Sequence, residues 1–171
     1  MSNLKLIFKG FFTEHRLRRI LQYGLYMLIV LLCQNMFFSE LRLLGVCPMI
    51  LPAAAVAVGM FEGATWGAVF SLIMGIFSDM AFVENTIAFT VLLPLLAFGA
   101  GFVSQFFINR RFFAYMLTAV AGLLITGLFQ MEMVALADQF SLSMLTTVLW
   151  QTLWSLPAAV LEYFPPARWI E

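Results

Sequence analysis

The chain has 171 residues, of which 63% are hydrophobic and only 11% are charged, and its formal net charge is zero. A composition this apolar excludes a water-soluble domain and indicates an integral membrane protein. Because a bilayer core about 30 Å thick needs about 20 apolar residues per helix, the chain is long enough for six spans joined by short loops.

The amino-terminal segment, residues 1–19, precedes the first long apolar run. Its apolar residues share one face of a helical projection, which predicts a short helix lying in the headgroup plane. The apolar run that starts at Ile20 is too long for a signal-peptide core, so we expect no cleaved signal. The segment contributes five basic residues to the predicted membrane surface: Lys5, Lys9, Arg16, Arg18 and Arg19.

Six apolar runs follow and form one predicted membrane domain, residues 20–164, before a short tail, residues 165–171. Pro48 and Pro52 lie in the first turns of the short second span, where proline costs least. Pro94 lies inside the fourth span and predicts a kink. The sequence therefore predicts an all-α bundle of six transmembrane helices. The spans cover residues 20–38, 46–61, 64–82, 87–107, 112–130 and 142–163.

The basic residues predict the orientation of the bundle. If both termini are cytoplasmic, eight of the nine Lys and Arg residues lie on the inner side, and only Arg42 lies outside. Arg110 and Arg111 then belong to an inner turn and join the predicted membrane-surface residues. An odd number of spans would place some of these basic segments on the outer side. We therefore predict an even number of spans with both termini inside.

Small residues recur every fourth position along the third predicted span. Such a row forms one ridge on a helix, and a ridge without bulky side chains lets a second helix backbone come close. The spacing continues backward through Gly59, which predicts a close hairpin of spans two and three. The candidate packing or partner residues are Gly59, Gly63, Gly67, Ser71, Gly75 and Asp79.

Asp79 is an ionisable group within apolar sequence, which costs roughly 2.5–3.5 kcal/mol at mid-bilayer on insertion scales. Something should offset that cost. One interpretation is that the carboxylate caps or hydrogen-bonds a neighbouring helix. The other is that it forms part of a site for a partner, an ion or a ligand.

Reactive chemistry is sparse in the sequence. It contains no glycine-rich phosphate loop, no His and Cys cluster with metal-ligand spacing, and no Ser or Cys with a plausible base partner. Glu62 and Asp79 are expected at opposite ends of one helix, roughly 25 Å apart, so they cannot act together. Cys33 and Cys47 could form a disulfide, although buried free cysteines are the commoner case. We therefore expect no enzyme activity, no cofactor and no metal.

The run from Pro48 to Asp79, with its tight glycine turn and the closing sequence GIFSDM, resembles the rod shape-determining membrane proteins of the MreD family. The resemblance covers about residues 44–130 and the overall size. The chain departs from the family after Asp79. Glu84, Asn85 and Thr86 occupy a stretch in which family members commonly carry a glycine.

The resemblance implies a scaffold of the cell-elongation machinery in the bacterial plasma membrane. Such a scaffold binds the bitopic protein MreC and, through it, the MreB filament and the peptidoglycan synthases. The implied fold is similar to the substrate-binding components of energy-coupling-factor vitamin transporters.

Those transporters supply an alternative function, in which an outward-facing pocket near Asp79, Glu84 and the tryptophans of span six binds a vitamin. Their substrate-binding components normally carry an Ala-x-x-x-Ala docking ridge on the first span. The first span of this chain lacks that ridge. Its absence favours the scaffold.

Overall fold

The computed structural model describes residues 14–41, 46–81, 87–106, 112–137 and 142–163. Within these ranges the chain is almost entirely helical, and all but one of the helices are long and apolar enough to cross a membrane. The prediction of an all-α, multi-pass membrane protein is therefore confirmed. The helices are α1 (Glu14–Leu32), α2 (Leu51–Glu62), α3 (Ala64–Ala81), α4 (Ala88–Phe106), α5 (Phe112–Ala137) and α6 (Leu142–Leu161).

Helix α1 begins earlier than the predicted first span and ends in an unusual turn. Residues 14–19, which were predicted to belong to a separate interfacial segment, are continuous with the spanning helix. The rest of that segment, including Lys5 and Lys9, lies outside the described residues. At its other end α1 passes into a π-helical segment, Cys33–Phe38, where the Ser39 N–H donates to the Gln34 carbonyl at 3.1 Å.

Helix α2 is short and lies at the centre of the bundle. Its 12 residues extend for about 18 Å, which is less than the hydrocarbon thickness. Ten of the 12 residues are buried, and the helix packs against α3, α4 and α5. Helix α6 packs on α5, and the Tyr115 hydroxyl of α5 donates to the Ala159 carbonyl of α6 at 2.8 Å.

The start of α2 differs from the prediction. Residues 46–50 were expected to be helical, but they are not, and the helix begins at Leu51. Pro48 therefore lies ahead of the helix, and Pro52 lies in its first turn. Proline lacks an N–H donor and disfavours the helical conformation of the residue before it, so two prolines four residues apart delay the start of the helix.

Gly63 forms the turn between α2 and α3. Its φ of +102° lies in a region that side-chain-bearing residues rarely adopt. The Gly63 N–H donates to the Gly59 carbonyl at 3.1 Å, and the Gly63 carbonyl accepts from the Gly67 N–H at 2.9 Å. One residue thus ends α2 and begins α3, so the two helices form a close hairpin.

Large apolar side chains cover the outward face of α3. Trp66 is 67% exposed and Phe77 is 51% exposed, whereas Gly67 and Gly75 on the opposite face are buried. Lipid rather than water is the expected environment of such a face. Helix α3 therefore has a bulky outward side and a small-residue inward side.

Candidate functional site: a glycine interface closed by Asp79

The small residues of α2, α3 and α4 bring three helix backbones into direct contact. A Cβ atom placed on Gly67 would lie 2.3 Å from the Gly59 Cα, and one placed on Gly59 would lie 2.1 Å from the Ala97 carbonyl oxygen. Real Cβ atoms do not approach other atoms so closely, so neither position accepts a side chain without movement of a helix.

Helix α4 lies against the α2–α3 hairpin along much of its length. A Cβ on Gly101 would lie 2.5 Å from the Ala64 Cα, and a Cβ on Gly75 would lie 2.6 Å from the Phe89 carbonyl oxygen. We call the four residues Gly59, Gly67, Gly75 and Gly101 the glycine interface. Gly101 was not among the predicted site residues, although four of the five residues in 97–101 are Ala or Gly, which could have indicated it.

Asp79 caps the amino terminus of α4. Its Oδ1 atom accepts from the Phe89 N–H at 3.2 Å, and its Oδ2 atom accepts from the Thr90 N–H at 2.8 Å and from the Thr90 hydroxyl at 2.6 Å. The first N–H groups of a helix have no partner within the helix, and the helix dipole favours a negative charge there. The first interpretation of Asp79, as the cap of a neighbouring helix, therefore describes its geometry.

Gly75 and Asp79 act together because they lie one turn apart on the same face of α3. The missing side chain at Gly75 lets the backbone at Phe89 and Thr90 come close. That approach places the first free N–H groups of α4 within reach of the Asp79 carboxylate. The Gly-x-x-x-Asp step thus fixes both the position and the start of α4.

All six predicted packing or partner residues lie at contacts made within the chain. Gly59, Gly67, Gly75 and Asp79 contact α2, α3 or α4 as described, and Gly63 forms the turn. Ser71 is completely buried, and its hydroxyl has no hydrogen-bond partner among the described residues. Since the chain itself occupies this surface, a helix of another protein cannot pack along the same row.

The predicted membrane-surface residues are only partly described. Arg18 and Arg19 are exposed near the start of α1, and Arg16 belongs to the same helix. Arg110 and Arg111 lie outside the described residues. Their shared role at the membrane surface stays a prediction.

Two tyrosine–carboxylate pairs tie α1 to the rest of the bundle. The Tyr23 hydroxyl donates to Glu62 Oε1 at 2.5 Å, and the Tyr26 hydroxyl donates to Glu162 Oε2. The rings of both tyrosines also contact Phe70 of α3, with centroids 5.9 and 6.0 Å away. The partners of these tyrosines lie 39 and 136 residues away in the sequence, so local sequence pattern could not identify them.

Glu162 is a buried acid that follows the last residue of α6 and so lies outside the spanning helix. Its side chain is only 5% exposed. Burial raises the pKa of its carboxyl group to about 7, and the hydrogen bond from Tyr26 acts in the opposite direction. The Tyr26–Glu162 pair lies where α1 meets the end of α6.

A second polar junction stabilises the non-helical segment ahead of α2. Gln34 donates from Nε2 to the Pro48 carbonyl at 3.2 Å and accepts at Oε1 from the Ile50 N–H at 2.8 Å. The Ser155 hydroxyl of α6 accepts from the Met49 N–H at 2.8 Å. Non-helical backbone at membrane depth is tolerated where protein satisfies its polar groups, and here the π-helical segment Cys33–Phe38 and α6 supply those partners.

Replacing Gln34 with leucine should destabilise the chain by about 1–3 kcal/mol, because the Ile50 N–H would be left buried without an acceptor. Thermal unfolding of the purified protein in detergent measures this loss. The exposed neighbour Asn35 provides the control, since Asn35→Leu removes a similar amide without breaking the junction. Equal stabilities of the two variants would show that the junction contributes nothing.

The described residues include no group of three or more His, Cys, Asp or Glu side chains placed to hold a metal ion. Cys33 and Cys47 are both free thiols. The carboxylates with described contacts, Glu62, Asp79 and Glu162, are each engaged with a separate partner. Each of these three carboxylates thus joins one helix of the bundle to another.

Comparison of the chain with protein-family models, with curated proteins and with solved structures gives no match.

Proposed function

We propose that this chain is a non-enzymatic scaffold of the MreD type in the bacterial plasma membrane. In this role it binds an MreC-like bitopic protein and, through it, the MreB filament and the peptidoglycan synthases, and so helps to maintain rod shape. The observation that carries the proposal is the Gly75–Asp79 step. It belongs to the sequence GIFSDM, which is one of the features that carry the resemblance, and in this chain it provides the contact and the cap that position α4.

The proposal includes a layout of six crossings with both termini in the cytoplasm. The second crossing combines α2, about 18 Å long, with the non-helical residues 46–50. Five residues can span at most about 17 Å, so the two parts together are long enough for a bilayer core of about 30 Å. The distribution of Lys and Arg supports this orientation, because it leaves Arg42 alone on the outer side.

The glycine interface suits a rigid platform. Three backbones in direct contact cannot slide past one another without collision of main-chain atoms. A scaffold needs a fixed arrangement of helices on which partners assemble. Direct backbone contact at the glycine positions provides such a fixed arrangement.

The vitamin-transporter alternative loses support at its proposed pocket. Both carboxylate oxygens of Asp79 already accept hydrogen bonds from α4, so a ligand would have to displace them. Glu84, which was also assigned to that pocket, lies outside the described residues. The fold shared with those transporter components remains an implication of the resemblance alone.

Depletion of the protein in its rod-shaped host tests the proposal. We expect the cells to become spheres, and we expect affinity-tagged protein to co-purify the host's MreC from detergent-solubilised membranes. Re-expression of the Gly99→Ala variant, which changes an exposed position with no neighbouring atoms, should restore the rods. Unchanged cell shape, or a purified protein that carries a vitamin and a transporter ATPase, would contradict the scaffold.

A further inference from the structure

An open groove of about 230 Å³ lies between α5 and α6, in the half of this helix pair nearer to the loop that joins them. At its base the two helices are in close contact, since a Cβ on Gly127 would lie 2.7 Å from Val148 Cγ1. The groove is lined by Met131, Met144 and the polar residues Gln130, Thr147 and Gln151. It shares no residue with the glycine interface.

The polar residues of the groove differ in how their hydrogen bonds are satisfied. The Thr147 hydroxyl donates to the Ser143 carbonyl at 3.0 Å. The side-chain amides of Gln130 and Gln151 have no hydrogen-bond partner in the described part of the chain. Gln151 lies near the middle of the apolar stretch Ser143–Leu161. An amide at that depth has no water to bond, so it favours a hydrogen-bonding group that enters the groove.

The shape and chemistry of the groove restrict what can fill it. A lipid acyl chain has no donor or acceptor for the amides. The volume is below the roughly 300 Å³ at which small-molecule pockets begin, but it can hold side chains from a turn or two of a helix. A second copy of the chain would present the same concave surface, and two concave surfaces do not interlock. A single convex helix fits the space between two antiparallel helices.

We infer that the α5–α6 groove is the docking surface for one transmembrane helix of a partner protein that carries hydrogen-bonding side chains two turns apart. This inference rests on the proposed function, in which the partner is a bitopic protein with one such helix. Polar residues of the Gln, Asn, Ser and Thr type are the groups that join helices in lipid.

The spacing of the two amides fixes the pattern expected on the partner. Gln130 and Gln151 each lie three residues from the Gly127–Val148 contact, in opposite directions along the helix pair. They are therefore separated by about 9 Å along the axis, since each residue of a helix rises about 1.5 Å. Side chains at i and i+7 on the partner helix lie on one face and match this separation.

The test measures how much MreC of the same host co-purifies with tagged variants after co-expression. The double variant Gln130→Leu/Gln151→Leu replaces both amides with apolar side chains and breaks no hydrogen bond within the described residues. We expect it to retain about one tenth of the wild-type amount of MreC. Thr146→Val is the matched control, because it removes an exposed polar group at the same end of α6 but outside the groove. It should retain the wild-type amount. Thermal unfolding of each purified variant establishes that it is folded.

Cross-linking identifies the occupant directly. In a background with Cys33→Ala and Cys47→Ala, Thr147→Cys should form a disulfide with a cysteine placed in the MreC transmembrane helix. A disulfide only between two copies of this chain would overturn the inference, and so would full retention of MreC by the folded double variant. If the folded double variant retains all of its MreC, the proposed function stands and only the α5–α6 groove is wrong as the docking surface. A wild-type chain that co-purifies no MreC would contradict both.

Discussion

Replacing Gly59 with alanine should destabilise the isolated chain by about 2–3 kcal/mol or more, because the new methyl group would lie 2.1 Å from the Ala97 carbonyl oxygen. The clash is with backbone, so no side-chain rotation relieves it and α4 must move away from α2. Unfolding followed by the fluorescence of the four tryptophans, in detergent and without other proteins, measures the loss.

Gly99→Ala is the matched control for this prediction. Gly99 lies on α4, two residues from Ala97, and a Cβ placed there meets no atom within 4 Å. Alanine also has the higher helix propensity, by about 1 kcal/mol in water, so this variant should be as stable as the wild type or slightly more stable. Similar stabilities of the two variants would show that α2 and α4 are not in backbone contact.

Replacing Asp79 with alanine should destabilise the chain by about 1–3 kcal/mol, because the first N–H groups of α4 would lose their acceptors. Thr90→Val removes only the hydroxyl bond and should have a smaller effect of about 1 kcal/mol. Thermal unfolding of both single variants and of the double variant gives the coupling between them. We expect the two losses to be less than additive, because each removes the same contact.

Glu132→Ala controls for the loss of a carboxylate as such. Glu132 is exposed on α5 and has no described hydrogen bond. Its replacement should leave the unfolding temperature unchanged. If Asp79→Ala were equally harmless to the isolated chain but reduced binding of a partner, the carboxylate would belong to a binding site and the capping role would be wrong.

The helical periodicity of the sequence was enough to locate the glycine row and to offer capping as a role for Asp79. Both depend on local spacing, since residues four apart on a helix share a face whatever the rest of the chain does. The identity of the neighbours did not follow from spacing. Nothing in the sequence links Gly59 to Ala97, and Gly101 has no place in the row of α3.

The start of α2 and the attachment of α1 were not predictable from local pattern. Residues 46–50 are apolar and were predicted to be part of a helical span, but the bonds to Gln34 and Ser155 stabilise them as non-helical backbone. Ser155 lies 106 residues from Met49, and Glu162 lies 136 residues from Tyr26. Such pairs arise from tertiary packing, which overrides local preference.

The internal use of the glycine row changes where partners should be sought. Small residues in a membrane helix often join separate chains, and the sequence alone left that possibility open. In this structure α2 and α4 of the same chain fill the contact. The α5–α6 groove lies outside the row and is the surface that we propose for a partner helix.

The most direct test of this account is the thermal stability of purified Gly67→Ala in the absence of any partner. A methyl group there would lie 2.3 Å from the Gly59 Cα. We predict that the isolated variant unfolds at a clearly lower temperature than the wild type and the Gly99→Ala control. An unchanged unfolding temperature, together with loss of MreC from the purified complex, would show that the row is a partner interface and would contradict the account.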